Sequence, residues 1–160
     1  MQPSSEEISR IMALLTQAPI RLEAVTRSQP TTRLTLQTDA EPWSVSDILA
    51  HLRACSDVWG ATIIAMITKD NPIIRYVSPR SSMSKPKYQK QEFVVALESF
   101  SQERHQLVET LAKLDEAGWM RCATLNGVSP RQPEQTVLNY AERIVSHEQP
   151  HLDQIEALLR

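Results

Sequence analysis

Residues 43–72 read WSVSDILAHLRACSDVWGATIIAMITKDNP, and they decide the fold class. Ser44 stands where a helix N-cap is expected. Asp47, three residues later, completes an acidic variant of the capping box, in which two residues satisfy each other's free backbone N–H groups. Trp43 and Ile48 fall where a hydrophobic staple would put them. From there Ile48, Leu52, Cys55, Trp59, Ile63 and Met66 recur at helical spacing as one apolar stripe. Lys69-Asp70-Asn71-Pro72 ends it. A long helix with one apolar stripe must bury that stripe against other elements.

Those other elements are also helical. A first segment, from about Ser5 to Ser28, carries Ile8, Ile11, Leu15, Leu22 and Val25 at steps of three and four with one gap. Pro19 falls in that gap and is predicted to kink or split the helix. A third segment covers about Lys90 to Leu114, with the stripe Phe93, Leu97, Phe100, Arg104, Leu107, Leu111 and Leu114. A fourth covers about Gln135 to Leu159, with the stripe Tyr140, Ile144, His147, His151, Ile155 and Leu158. No stretch shows a convincing period of two. Arg33 to Thr38 alternates briefly without a partner and reads as an extended loop. The expectation is an all-α four-helix bundle, residues 1–160 forming one domain, since 160 residues suit a single core.

The connection from Lys69 to Gln89 is long for a compact domain, where such loops are usually functional or crossovers. Extended, it spans about 65 Å against about 35 Å for the second helix. It can return along the whole bundle, which favours parallel second and third helices joined by a long crossover. Its charge is basic: Lys69, Arg75, Arg80, Lys85 and Lys87 against Asp70. A solvated loop is the preferred reading over an anion-binding lid.

Composition narrows the function classes. Apolar residues make up 41% and charged residues 22%, with a net charge of −2, so no global attraction to nucleic acid or anionic membrane is expected. No apolar run approaches the length of a bilayer span, and Glu6, Glu7 and Arg10 interrupt any signal-peptide core. Two cysteines, Cys55 and Cys122, signal no disulfide framework, and a reducing cytoplasm is the expected compartment. With only three glycines, a glycine-rich phosphate loop cannot be built.

The chemistry lies in polar residues that interrupt the apolar stripes. His147 and His151 are four apart, point the same way and occupy the stripe that faces the core. Their burial costs desolvation unless their nitrogens are bound, either by a divalent metal or by hydrogen bonds within the core. His51, one turn after Asp47, is structural on its own and gains meaning as the third of a set. Three neutral imidazoles leave a metal an open coordination position, as catalytic sites do. Such a set suits zinc, while nickel, iron, cobalt or manganese fill it with added waters. Pro150, between the two helix-four histidines, removes the bond to the Ser146 carbonyl and is predicted to bend the helix. Arg104 sits mid-stripe. It pairs with Asp47, Glu148 or another carboxylate, reaches the site to hold an anionic substrate group, or snorkels to the bundle edge, which is the preferred reading. Cys55 shares a face with His51 and reads as a buried hydrophobe rather than a ligand. His105 reads as solvent-facing and Trp119 as an anchor over the core.

Together these segments resemble the DinB-like superfamily, the DinB/YfiT-type metalloenzymes. Ala18-Pro19-Ile20-Arg21-Leu22 is similar to a proline-containing segment of its first helix. Trp43 to Leu52 is close to its second-helix signature, which ends in a ligand histidine. Phe100, Arg104, Leu107 and Leu111 resemble its third helix, and Trp119 and Arg121 the loop that follows. His147-Glu148-Gln149-Pro150-His151-Leu152-Asp153-Gln154-Ile155 is similar to its C-terminal signature. The resemblance implies a bundle with a long connection between helices two and three, often dimeric. It implies nickel, zinc or a similar ion held by His51, His147 and His151. It also implies chemistry like that of thiol-dependent S-transferases and isomerases using mycothiol, bacillithiol or glutathione.

Three functions are therefore in view. The first is a metal-dependent transferase that acidifies a low-molecular-weight thiol for attack on an electrophilic small-molecule substrate, with Arg104 as a substrate contact. The second is a metal-dependent hydrolase on the same ligands. The third is a non-catalytic bundle that binds a metal or a partner protein.

Overall fold

The computed structural model describes residues 2–127 and 134–160. Four long helices dominate: α1 (Ser5–Thr26), α3 (Val45–Thr68), α6 (Phe93–Ala112) and α8 (Val137–Leu158). α1 packs against α8 and α6, and α3 packs against the same two, closing the ring α1–α8–α3–α6. The chain is thus a four-helix bundle.

The capping box expected at Ser44 is present. Ser44 Oγ accepts from the Asp47 amide at 3.1 Å, and Asp47 Oδ2 accepts from the Ser44 amide at 2.8 Å. Thr136 and Asn139 build a second box at the start of α8. The far end of α3 is closed by Arg121, which donates to the carbonyls of Met66 (2.7 Å) and Lys69 (2.8 Å), two of the carbonyls a helix end leaves free.

The crossover runs as its length suggested. It leaves α3 at Lys69 and comes back along it. Lys87 pairs with Asp57 at 2.8 Å, Tyr88 donates to the same carboxylate, and buried Arg53 donates to Gln91 Oε1 (2.7 Å) and the Lys87 carbonyl (3.2 Å). Phe93, at the start of α6, then shares a surface groove with Asp47, at the start of α3, and Arg104 reaches Ser56 further on. Positions advance together along both helices, so α3 and α6 are parallel.

Several local expectations need correction. The crossover is not bare loop; it carries β1 (Ile73–Arg75) and the single turns α4 (Pro79–Ser82) and α5 (Pro86–Gln89). Arg33 and Leu34, at the start of the segment expected to be extended, instead close a helical turn, α2 (Thr31–Leu34). A three-stranded sheet exists: β1 pairs in parallel with β2 (Cys122–Asn126), and β2 pairs antiparallel with β3 (Glu134–Thr136). β2 alternates, with Ala123 and Leu125 buried. Because β3 takes Gln135, α8 begins at Val137. Between α6 and β2 the turn α7 (Glu116–Trp119) sets Trp119 into the core at 2% exposure. Pro19 does not split α1, which is continuous from Ser5 to Thr26.

The core falls into two apolar clusters. One gathers Ile11, Leu15, Trp59, Ile63, Leu111 and Ile144 with their neighbours; the other gathers Leu22, Ile48, Leu52, Phe100, Leu152 and Ile155. Where the two clusters meet, α6 carries Arg104 and α8 carries His147, Glu148 and His151, with His51 and Ser56 close to the junction on α3. A polar layer crosses the bundle at mid-height, and the candidate site lies in it. No helix among the described residues is long and apolar enough to cross a membrane.

Candidate metal centre

α3 and α8 pack along one another, and the three predicted histidines meet between them. His51 comes from α3; His147 and His151 lie one turn apart on α8. One ring nitrogen from each lies within 4.8 Å of the others. The ring centroids are 4.9 Å (His51–His147), 5.0 Å (His51–His151) and 4.8 Å (His147–His151) apart, each pair edge to face. His51 Nε2 approaches His147 Nε2 to 2.8 Å. His51 is buried at 5% exposure, and the other two are half-buried. Aromatic edges flank the cluster, with the ring of Trp43 5.1 Å from His51 and that of Trp59 5.2 Å from His147.

The surroundings favour uncharged imidazoles. Burial first, then the neighbouring His147, His151 and Arg80, pull the His51 pKa down to about 4. Burial, His151 and Arg80 lower that of His147 as well. A neutral ring offers the lone pair that a metal ion takes. His151 is oriented from outside the cluster: its Nδ1 lies 3.3 Å from Gln154 Oε1, and Gln154 Nε2 donates to Glu41 Oε2 at 3.2 Å. With Nδ1–H donating to Gln154, Nε2 of His151 is left as the free donor atom. Ligand histidines are held this way in metal sites generally.

The donor set fits a divalent ion. Nitrogens about 2.1 Å from a common tetrahedral ion are about 3.4 Å apart, so a pair as wide as 4.8 Å closes when each ring moves by about 0.7 Å. Among the described residues no carboxylate or thiolate joins the three imidazoles, which leaves room on the ion for an exogenous ligand. Cys55 Sγ touches His51 Nε2 at 3.7 Å but lies outside the mutually close set. Burial first, then the charge of Glu148, push its thiol up to about 12, which keeps it a neutral thiol.

Arg104 does not snorkel to the bundle edge. It is 1% exposed and grips Glu148, 2% exposed, through both terminal nitrogens. It also donates to Leu15 O (3.2 Å) and Ser56 Oγ (3.3 Å). Its charge is matched inside the protein, by the residue next to His147. His105 is exposed, as expected. Two contributors escaped the sequence reading. Arg80, carried by the crossover, places its charge near His51 and His147; only the basic composition of that loop hinted at it. Gln154 lies in the C-terminal signature, but the residue type alone does not announce its reach to His151, three residues back on α8.

Comparison with known proteins agrees with this architecture. A model of the DinB superfamily matches residues 14–155. None of the curated proteins matches the sequence. Among solved structures, the fold is similar to that described as "YfiT from Bacillus subtilis is a probable metal-dependent hydrolase with an unusual four-helix bundle topology". The TM-score is 0.81 at 16% identity, over 98% of this chain and 87% of that one. At that identity the likeness speaks for the fold alone.

Proposed function

The chain belongs to the DinB superfamily, and we propose that His51, His147 and His151 hold one divalent metal ion in a metal-dependent enzyme that transfers a low-molecular-weight thiol to an electrophilic small molecule. The observation that carries this is the meeting of three ring nitrogens, from two helices, within 4.8 Å. An ion held there would supply Lewis-acid chemistry, acidifying a thiol brought to its open side. Zinc and nickel suit the donor set best.

The protein's own groups support a thiol more than a water. Hydrolysis calls for a positioned acid or base to move protons to the leaving group. The carboxylate beside the site, Glu148, is already committed to Arg104. A thiolate needs no such partner for its attack, and the nearby charge of Arg80 favours an anion at the centre. Hydrolysis is the second reading, favoured by the description of YfiT.

The test starts with metal analysis of protein purified without a histidine tag, followed by titration calorimetry on the wild type and on the His51→Ala and His147→Ala variants. One tightly bound ion per chain is expected, lost in both variants. Metal-loaded protein is then incubated with monochlorobimane and with mycothiol, bacillithiol or glutathione. A metal-dependent conjugation rate supports the transferase. Turnover of an ester or amide without thiol would move the assignment to hydrolase, and no ion in the wild type would remove both.

A further inference from the structure

Beside the histidine centre, the crossover and α3 enclose a cleft of about 660 Å³. Trp59 and Tyr140, both buried, line it together with the cations Lys69, Arg75 and Lys85. Lys87 in the same lining is answered by Asp57; no ion pair joins Lys69, Arg75 or Lys85 to a carboxylate among the described residues. Trp59 belongs to both places, since its ring lines the cleft and meets His147 edge to face.

Arg143 links them more closely. It is one turn before His147 on α8, so the two side chains share a helix face. Its guanidinium lies 4.8 Å from the ring centre of Tyr140 and 5.9 Å from that of Trp59. It is half-buried, and no carboxylate pairs with it among the described residues. Of the two fully buried arginines, Arg104 has Glu148, and Arg53 is held by Gln91 and the Lys87 carbonyl. The two rings offset part of the cost of taking this cation out of water and hold it in place, and its N–H donors remain available to an anion.

We infer that this cleft binds an anionic, partly apolar small molecule, its apolar body lying on Trp59 and Tyr140 and its anionic group meeting Arg143 and the unpaired cations of the crossover. The cleft would select the substrate or thiol that the histidine centre acts on. The inference rests on the proposed metal-centre reading for the reaction, though not for the binding. The basic crossover, read from sequence as a solvated loop, then has a ligand-facing side.

Binding of benzoate, phenyl phosphate and benzyl alcohol to the full chain, measured by calorimetry on metal-loaded protein and on protein stripped with a chelator, tests this. Both anions should bind at least about tenfold more tightly than benzyl alcohol, in line with a charge-assisted contact, and should still bind after stripping. Arg143→Gln should weaken both anions about tenfold and leave benzyl alcohol unchanged, while Arg143→Lys retains most of the affinity. Arg75→Gln with Lys85→Gln, both on exposed side chains, should weaken the anions and flatten the dependence on salt. Equal binding of benzoate and benzyl alcohol would overturn the inference, as would an Arg143→Gln variant with unchanged anion affinity. Loss of all anion binding on stripping would overturn it too, by placing the anion on the metal. Anion binding by a protein that takes up no metal would leave the cleft standing and remove the metal reading instead.

Discussion

Arg104 donates from Nη1 to the carbonyl of Leu15 at 3.2 Å, and Leu15 O is the carbonyl that Pro19, four residues on, leaves without its helical donor. The proline and the buried arginine are thus one device. α1 remains continuous because a side chain from α6 supplies the missing N–H, and Glu148 on α8 balances the charge that comes with it. Removing one partner of such a pair strands a buried charge, at about 3–5 kcal/mol, whereas replacing both by apolar residues is often nearly neutral. Glu148→Ala should therefore lower stability in urea unfolding by about 3–5 kcal/mol. Arg104→Met with Glu148→Leu should cost less than the single change and still fall short of wild type, because Leu15 O loses its donor, worth about 1–3 kcal/mol. If the double variant is instead the sum of the two singles, the residues do not act as a pair.

Gln154 fixes His151 without belonging to the three-histidine set. Outer partners of this kind typically change metal affinity by about 10–100-fold when removed. Gln154→Leu is expected to weaken zinc binding by about that factor, measured by competition with a chromophoric chelator, with an unchanged circular dichroism spectrum. Gln154→Glu combined with Glu41→Gln, which keeps an acceptor for Nδ1–H and a donor between positions 41 and 154, should bind close to wild type. Equal loss in both variants would mean that packing at this position, and not the hydrogen bond, matters to the site.

The helices and the three histidines were legible because their signals are local. A stripe at helical spacing reports its own helix, and an imidazole within the stripe reports that it faces the core. Ser44 and Asp47 mark a helix start by contacts three residues apart. The strands left no comparable mark. β1 has three residues, β2 five and β3 three, and β1 meets β2 by pairing Ile73 with Thr124, a partnership no local pattern encodes. Arg104 illustrates the same limit. Its place in an apolar stripe announces a buried charge, and Glu148 is among its candidate partners, but snorkelling is set aside only by the ring of helices, which faces α6 diagonally towards α8 so that Arg104 meets Glu148 in the interior. Arg80 and Arg143 gather near the histidines through the path of the crossover and the facing of α3 and α8, which periodicity within one segment does not contain.

Pro150 lies within α8, which runs unbroken from Val137 to Leu158, between the two histidines of that helix. A proline inside a helix costs about 3 kcal/mol relative to alanine, through the lost N–H and the clash with the preceding turn. Ser146, whose carbonyl loses its donor, is exposed, so water can serve it and part of that cost is already recovered. Pro150→Ala should raise thermal stability by about 1–3 kcal/mol. Because the substitution restores a regular turn between His147 and His151, zinc affinity should change as well, measured on the same preparations. A stabilised variant with unaltered affinity would mean that the proline has no part in aiming the two rings.

Asp57 on α3 and Glu103 on α6 lie against each other where Lys87 and Tyr88 of the crossover dock. Lys87 and Tyr88 both serve Asp57, and the Asp57 pKa is lowered by its hydrogen bonds to Lys87, Tyr88 and Glu103 against the opposing effect of burial. Glu103 Oε2 is buried and finds no donor. Burial first, then the hydrogen bond to Asp57 and its charge, raise the Glu103 pKa to about 7. Below about pH 7 Glu103 therefore holds its proton and donates it to Asp57. Between the ordinary glutamate value of 4.5 and about 7 the folded protein binds that proton and the unfolded chain does not. Stability from this group is therefore fully present below about pH 4.5 and is lost as pH rises through about 7. Glu103→Gln mimics the protonated form at every pH. It should melt above wild type at pH 8 and match it near pH 5, in thermal scans at constant ionic strength. A gap that stays constant across that range would show that Glu103 does not titrate in the folded protein as described.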